Sequence, residues 1–377
     1  MLIGIDVSRA NREKKTGVEW YSYHLIENLK KMDEKSRYFL YSAEKLREDL
    51  GILPRNWQSK VLKWLPKFLW TQIRLSWEML VNPPDLLFVP SHVIPFIHPK
   101  KTITTIHDIG FKKFPRAYSF FQRWYLDWSV KFALKYAAKI IAISQFTKEE
   151  LIKIYQADEK KISVIPLAYN DEIYQPINNQ EKVEQVLKKY QIKKPYLFYV
   201  GRLEEKKNIS FLIDVFEVLS SQIQAPLNLV LAGGRGYGYE RIKEKIARHK
   251  LNEKITQIGW LNENDLSCFY AGAEVFIFPS LYEGFGIPLL EAMACGTTIV
   301  ASNSSSIPEI VGQAALLANP DNIQDFVGQI KRILGDKKLK ENLKQKGLER
   351  IKNFSWQKCA QETLSLFNNI EVQPQYS

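Results

Sequence analysis

Short, almost continuously apolar runs alternate with longer helical patterns along most of the chain, in two successive series. LIGIDV opens the first series, and SRYFLYS, DLLFVPS, KTITTIHD, KIIAIS and KISVIPL follow. Between them the spacing predicts helices over Val18–Lys31, Tyr118–Ala138 and Lys148–Tyr155. The rhythm restarts at PYLFYVG and continues through LNLVLAG, KITQIGW, EVFIFPS, TTIVAS and AALLANP. Strands that are apolar at nearly every position are buried on both faces, and strands alternating with helices build parallel sheets covered on both sides. The polar stretch Leu167–Lys194, which holds PINNQEK, separates the two series. The expected architecture is α/β, with two facing Rossmann-like, doubly wound domains and a cleft between them. The expected bounds are 1–175 for the first domain, 176–194 for a linker, 195–353 for the second domain, and 354–377 for a C-terminal helix and tail. Ligands of such sheets bind at the carboxyl ends of strands.

A length of 377 residues fits two domains better than one core. No run reaches 18 consecutive apolar residues, and the opening MLIGIDVSRA reads as a first strand rather than a signal peptide. Cys268, Cys295 and Cys359 are odd in number and widely spaced, so neither a disulfide framework nor a zinc site is expected, and a reducing cytoplasm is the default compartment. The net charge of +12 is one-sided. Residues 1–200 carry 33 Lys and Arg against 21 Asp and Glu, whereas 201–377 carry 20 of each. Such a field attracts an anionic partner: a nucleic acid, an acidic membrane or a charged acceptor. No nucleic-acid motif is present, and the basic excess avoids the half with the phosphate-like loops, so no nucleic acid is expected.

Three segments of the second half carry the chemistry. In YVGRLEEKKNISFLIDVF a strand ends at Gly201 and a helix begins near Asn208. Arg202 and Lys207 lie in the connecting loop, where two cations beside a helix N-terminus suit a diphosphate. In PSLYEGFGIPLLEAMACGTTIVAS, Glu283 precedes the turn Gly284-Phe285-Gly286, and Glu291 lies inside the following helix. Glycines there permit close backbone approach, and a carboxylate accepts well from sugar hydroxyls. Leu289, Leu290, Ala292, Met293 and Ala294 surround Glu291, so its carboxyl must have partners. The glycine-rich LAGGRGYGYE is read mainly as a turn.

Gly201-Arg202 with Lys207, and Glu283 separated by seven residues from Glu291, resemble the retaining glycosyltransferases of family 4, which have the GT-B fold. The likeness extends to GIDVSR, Thr16-Gly17-Val18, the pair His107-Asp108 in TIHDIGFKKFP, IAISQFTKEEL and VIPLAYNDEIYQP. The resemblance implies that Arg202 and Lys207 bind the donor diphosphate and stabilise charge on the leaving group. Glu291 would bind the ribose. Glu283 and the amides of Phe285, Gly286 and Ile287 would contact the donor sugar and phosphate. Gly17 would approach the diphosphate across the cleft, His107 would contact the transferred sugar, and Ser144 would line the same cleft. Two positions depart from the family pattern: Ala168 stands where glycine is frequent, and Thr298 where proline is common.

The resemblance further implies a front-face path with retention, in which the leaving phosphate takes the acceptor proton. Fixed cations and helix dipoles favour the charge that builds on that phosphate. No Asp-x-Asp metal grip occurs in the sequence, so no metal and no other cofactor is expected. TGVEWYSYHL and the His-Asp pair look most like the mannosyltransferase branch, which makes GDP-mannose the first donor, with UDP-glucose, UDP-N-acetylglucosamine and dTDP-rhamnose as competitors. The acceptor would be a glycan or lipid-linked glycan of cell-envelope polysaccharide. A nucleotide-sugar epimerase of the same fold, or a non-enzymatic sugar-nucleotide or nucleic-acid binding protein, are the alternatives.

In WQSKVLKWLPKFLWTQIRLSW, Trp57, Trp64, Trp70 and Trp77 are interleaved with Lys60, Lys63, Lys67 and Arg74. That mixture suits an anionic membrane surface, which would place the protein at the inner face of the plasma membrane. The competing reading notes that Pro66 interrupts the segment and that Trp70, Ile73 and Trp77 recur at helical spacing, as core side chains do.

Overall fold

The structure is a computed structural model describing residues 1–65 and 68–370. Pro66, where the helix break was expected, and the tail from 371 lie outside the described residues. The chain forms two compact units, Met1–Ala168 together with the C-terminal segment from Trp356, and Tyr169–Ser355.

The first unit holds seven parallel strands: β1 (Leu2–Asp6), β2 (Arg37–Ser42), β3 (Trp57–Val61), β4 (Leu86–Val89), β5 (Thr102–Ile106), β6 (Lys139–Ala142) and β7 (Ile162–Val164). Their order is β3-β2-β1-β4-β5-β6-β7. The winding direction reverses between β1 and β4, which creates a switch point at their carboxyl ends. The central strands β4 and β5 are buried throughout. The three threonines of β5 remain inside because each hydroxyl has a partner. Thr102 donates to the Pro99 carbonyl (2.7 Å), Thr104 to the Ser91 carbonyl (2.5 Å), and Thr105 bonds the Tyr21 hydroxyl (2.9 Å).

The second unit holds six parallel strands: β8 (Tyr196–Val200), β9 (Asn228–Ala232), β10 (Ile255–Ile258), β11 (Val275–Phe278), β12 (Ile299–Ser302) and β13 (Ala315–Ala318). The order β10-β9-β8-β11-β12-β13 puts the switch point between β8 and β11. The two loops that carry the chemistry-bearing residues leave these two adjacent strands.

The units divide differently from the expected domains. The stretch 176–194, set apart as a linker, contains the helix Gln180–Lys189 of the second unit. Lys189 (2.8 Å) and the Tyr190 hydroxyl (2.6 Å) both reach Asp265, at the start of the helix Glu263–Gly272. The C-terminal helix Trp356–Asn368 returns to the first unit. There Trp356 stacks on His24 of the helix Gly17–Met32 (5.1 Å, 14°), and Phe367 packs on Phe88 (5.2 Å). Its apolar stripe is therefore buried against the opposite half of the sequence. The three cysteines are buried and unbridged.

Candidate active site

In the second unit, β8 runs into Gly201, whose φ of +146° lies where side chains rarely go. A Cβ there would meet the Tyr199 hydroxyl at 2.6 Å. Gly233, after β9, has φ +132°, and a Cβ on it would stand 2.0 Å from the Gly201 carbonyl oxygen. Beyond this contact the two loops are zipped together: the Leu203 amide donates to Gly234 (2.9 Å), and the Gly236 amide to Leu203 (3.0 Å). The glycine-rich segment thus supports the loop that carries Arg202 and Lys207. Arg202 projects outward, with its side chain 66% exposed and Nε 3.4 Å from Glu204. Lys207 closes a single turn, Glu205–Lys207, before the helix Ile209–Gln222.

Glu283 follows β11 on the neighbouring strand. Lys207 Nζ donates to both of its carboxylate oxygens, at 2.6 and 2.7 Å. The side chains are only 17% and 10% exposed, so little water screens the pair. Three serines after β12 hold the Glu283 loop. Ser305 Oγ accepts from the Glu283 amide (3.0 Å). Ser306 Oγ lies within bonding distance of the carbonyls of Glu283 (3.0 Å) and Phe285 (2.9 Å), and Ser304 Oγ donates to the Ser280 carbonyl (3.0 Å). Gly286, at φ +105°, then starts the helix Ile287–Ala294, and Phe285 is buried beside it. The first amides of any helix lack intrahelical acceptors, so the turn at Phe285, Gly286 and Ile287 is disposed to meet an anion.

One helical turn after Ile287, Glu291 has partners. The Tyr270 hydroxyl donates to its Oε2 at 2.8 Å, and Tyr174 bonds it as well. Burial pushes the Glu291 carboxyl up to about 7, against the opposing effect of the Tyr270 hydrogen bond. Burial, reinforced by the Glu291 charge, also raises both phenols. At neutral pH the group is therefore divided between a carboxylate that accepts and an acid that donates.

In the first unit, Gly17 opens the helix Gly17–Met32 behind the N-cap Thr16. Glu19 closes a capping box there: its carboxylate accepts from the Thr16 amide (3.2 Å) and hydroxyl. His107 follows β5 and is buried, with its ring edge-on to Tyr21 at 4.9 Å. His107 Nε2 lies 3.1 Å from the Pro90 carbonyl, which can only accept. Nε2 thus carries the proton, and burial lowers the pKa, so the ring is neutral with its lone pair on Nδ1. Ser144 caps the helix Gln145–Tyr155 by accepting from the Thr147 amide at 3.0 Å. Thr147 in turn reaches the His107 carbonyl (3.4 Å), so Ser144 acts on the His107 loop through a cap.

Residues 15–172 match the family described as Glycosyltransferase Family 4, and residues 180–350 match Glycosyl transferases group 1. The O-antigen chain mannosyltransferase B of Escherichia coli is 32% identical over 295 residues, 78% of this chain and 77% of that protein. The chain belongs to the family 4 glycosyltransferases. The serotype-specific mannosyltransferase WbdA of the same species is 29% identical over 66% of this chain, a match that spans 31% of that longer protein. Among solved structures, the sucrose-phosphate synthase of Thermosynechococcus elongatus superposes with a TM-score of 0.77 at 21% identity, over 97% of this chain and 98% of that one. The GT-B architecture of this glycosyltransferase, with its two parallel sheets, agrees with that likeness.

Within the second unit the glycosyltransferase brings Lys207 and Glu283 into direct contact, whereas Glu291 has tyrosine partners and Arg202 stands on Glu204. Sequence reasoning demanded partners for Glu291 without finding them. Tyr270 becomes visible only when the helix Glu263–Gly272 packs beside Ile287–Ala294, and Tyr174 lies in the segment read as a polar break. Ser304, Ser305 and Ser306 also escaped, although a run of three hydroxyls after a buried strand is itself a turn signal. Among the described residues, Asp214, Glu217 and His249 form one cluster with metal-like spacing. Lys245 already pairs with Asp214, and His249 Nδ1 lies 2.5 Å from Glu217.

Proposed function

We propose that this glycosyltransferase moves a mannosyl group from GDP-mannose, with retention, to a glycan acceptor carried on a lipid during O-antigen-type polysaccharide assembly at the inner membrane face. The observation that carries the donor side is the convergence of Lys207 and Glu283 at the β8/β11 switch point, next to the glycine-capped helix bearing Glu291. The names of the mannosyltransferase relatives support the sugar.

In this reading Arg202 and Lys207 hold the diphosphate and offset the charge that grows on it as the glycosidic bond breaks. The amides at Phe285, Gly286 and Ile287 add the positive end of a helix. Glu283 orients Lys207 and accepts from hydroxyls of the donor sugar, and Glu291 accepts from the ribose. In the first unit Gly17 serves the diphosphate and His107 the transferred sugar, with Ser144 capping the helix behind the His107 loop. The neutral His107 offers the Nδ1 lone pair to a sugar hydroxyl. The leaving phosphate takes the acceptor proton, so no side chain need act as nucleophile. No metal is required in this reading, because Arg202 and Lys207 supply the cationic charge.

The test is turnover of radiolabelled GDP-mannose with and without a lipid-linked glycan. Label passing to the acceptor with the α-configuration preserved supports the proposal. Conversion of the donor alone to an epimer, or transfer only from a UDP-sugar, contradicts it.

A further inference from the structure

An aromatic and basic face of the first unit lies outside the chemistry described above. The segment Trp70–Val81 is helical throughout, first as a wide π-type turn and then as an α-helix. Trp70 is buried in the core and donates its indole N–H to the Leu62 carbonyl (2.9 Å), and Trp57 is stacked on Tyr38 in the sheet (3.9 Å). These two tryptophans are structural. Trp77, in contrast, is 60% exposed, and Ile73 and Leu80 of the same segment, with Phe68 just before it, are exposed as well.

A second element continues this face. The helix Phe120–Tyr136 exposes Phe120, Phe121 (78%) and Trp124 in its first turns. Phe96 links the two elements: its ring packs on Trp128 (5.3 Å), and it shares with Trp64, Ile73 and Trp77 an open hollow of about 460 Å³. Gln72 ties the helices together from below, 3.5 Å from the Tyr125 hydroxyl. Residues 60–81 and 110–136 together carry ten Lys and Arg against two carboxylates, Glu78 and Asp127. Both carboxylates are paired, Glu78 with Arg74 (3.1 Å) and Asp127 with Lys112 (2.5 Å) and Lys131 (2.9 Å), and Lys113 faces Glu150 (3.6 Å), so the basic excess rests on the other Lys and Arg of these segments.

Exposed aromatic rings cost free energy in water, and a contiguous patch of them marks a binding surface. Exposed rings on segments with a basic excess suit a bilayer, which offers anionic headgroups over an apolar interior. Tryptophan and phenylalanine at an open hollow, on segments rich in Lys and Arg, have the chemistry of an interfacial anchor. We infer that this face, built from Trp77, Phe96, Phe121 and Trp124 with Arg116 and Arg123 beside them, docks on an anionic lipid bilayer. It deepens the reading of a lipid-borne acceptor and rests on that reading for its purpose, though the surface itself is argued from exposure and charge.

The experiment is cosedimentation of the full chain with phosphatidylglycerol-containing vesicles and with pure phosphatidylcholine vesicles, without nucleotide sugar. Brominated lipid chains serve as quenchers of tryptophan fluorescence. Binding to the anionic vesicles with quenching, and at least about tenfold weaker binding to the neutral ones, is expected. The triple variant Trp77→Ser, Phe121→Ser, Trp124→Ser should lose at least about tenfold in partitioning, and Arg116→Glu with Arg123→Glu should do the same. Unchanged thermal midpoints and unchanged mannosyl transfer to a water-soluble acceptor certify both variants as folded. Absence of binding at low salt overturns the inference. So does full binding by both folded variants. A dimer that the triple variant dissolves, in a parent that vesicles do not recruit, assigns the face to a second copy of the chain instead. Vesicle binding without any GDP-mannose turnover would leave the docking face intact and reject the mannosyl-transfer reading alone.

Discussion

Lys207 and Glu283 lie 76 positions apart and close a two-pronged ion pair, 2.6 and 2.7 Å, where the loops after β8 and β11 meet. A serine cluster fixes the Glu283 backbone, so the carboxylate in turn fixes the ammonium. The cation is thereby preorganised in a largely dry site, where an electrostatic contact is worth more than at the surface.

Lys207→Ala should lower turnover at saturating donor by more than about tenfold, or roughly 1.4 kcal/mol of transition-state stabilisation. The same change strands the Glu283 carboxylate. Glu283→Gln in the Lys207→Ala background should therefore recover part of the lost thermal stability without recovering activity. An unchanged kcat for Lys207→Ala removes this residue from the diphosphate role.

Gly233→Ala tests the joint between the two glycine loops. The added carbon would overlap the Gly201 carbonyl at a φ of +132°. A loss of more than about 2 kcal/mol in stability is expected, measured by urea unfolding, with donor affinity falling because Arg202 and Lys207 sit on the displaced loop. Equal stability of variant and parent would show that the loops are not rigidly zipped.

Glu291 makes stability depend on pH. Its carboxyl titrates at about 7 in the folded chain and at about 4.5 when unfolded, so between these values the folded state binds the extra proton. The sign is a loss of stability as pH rises through that window. Glu291→Gln cannot ionise, so it should gain stability relative to the parent at pH 8 compared with pH 5. Thermal melts of both proteins at the two pH values check this. A parallel response of the two proteins contradicts it.

His24 acts in the opposite direction. Burial, helped by Lys15 and Lys31, lowers it to about 4, and its neutral ring is sandwiched between Trp20 (5.3 Å) and Trp356 (5.1 Å). The unfolded chain takes the proton near pH 6.5, so stability falls as pH drops from about 6.5 toward 4. Amide exchange over Trp356–Asn368 should accelerate at pH 5 relative to its intrinsic rate, and His24→Phe should suppress that acceleration. Exchange in this helix that is insensitive to pH would exclude the His24–Trp356 stack as its anchor.

Both sheets were legible because strands such as DLLFVPS and EVFIFPS leave no polar face to read otherwise. β3 was not legible. WQSKV is an edge strand with exposed Gln58 and Val61, so its pattern lacks the apolar continuity of its neighbours, and Trp57 drew attention as part of a basic aromatic run. The destination of the C-terminal helix was also hidden. Its stripe shows that it must be buried, but nothing local tells that Trp356 stacks on His24. At the candidate site, residue types and spacing singled out Arg202, Lys207, Glu283 and Glu291 as candidates. Their pairings are long-range, and only the fold shows that Glu283 holds Lys207 and that Tyr270 and Tyr174 hold Glu291.

The most direct measurement is the thermal shift of the parent and of Glu291→Ala with matched GDP, UDP, ADP and dTDP sugars. A ligand at about one hundred times its Kd adds about 2.7 kcal/mol of stability. GDP-mannose stabilising the parent but not the variant is the predicted result. A UDP or dTDP series acting in its place, or an equal shift in both proteins, contradicts the assignment of GDP-mannose to the Glu291 site.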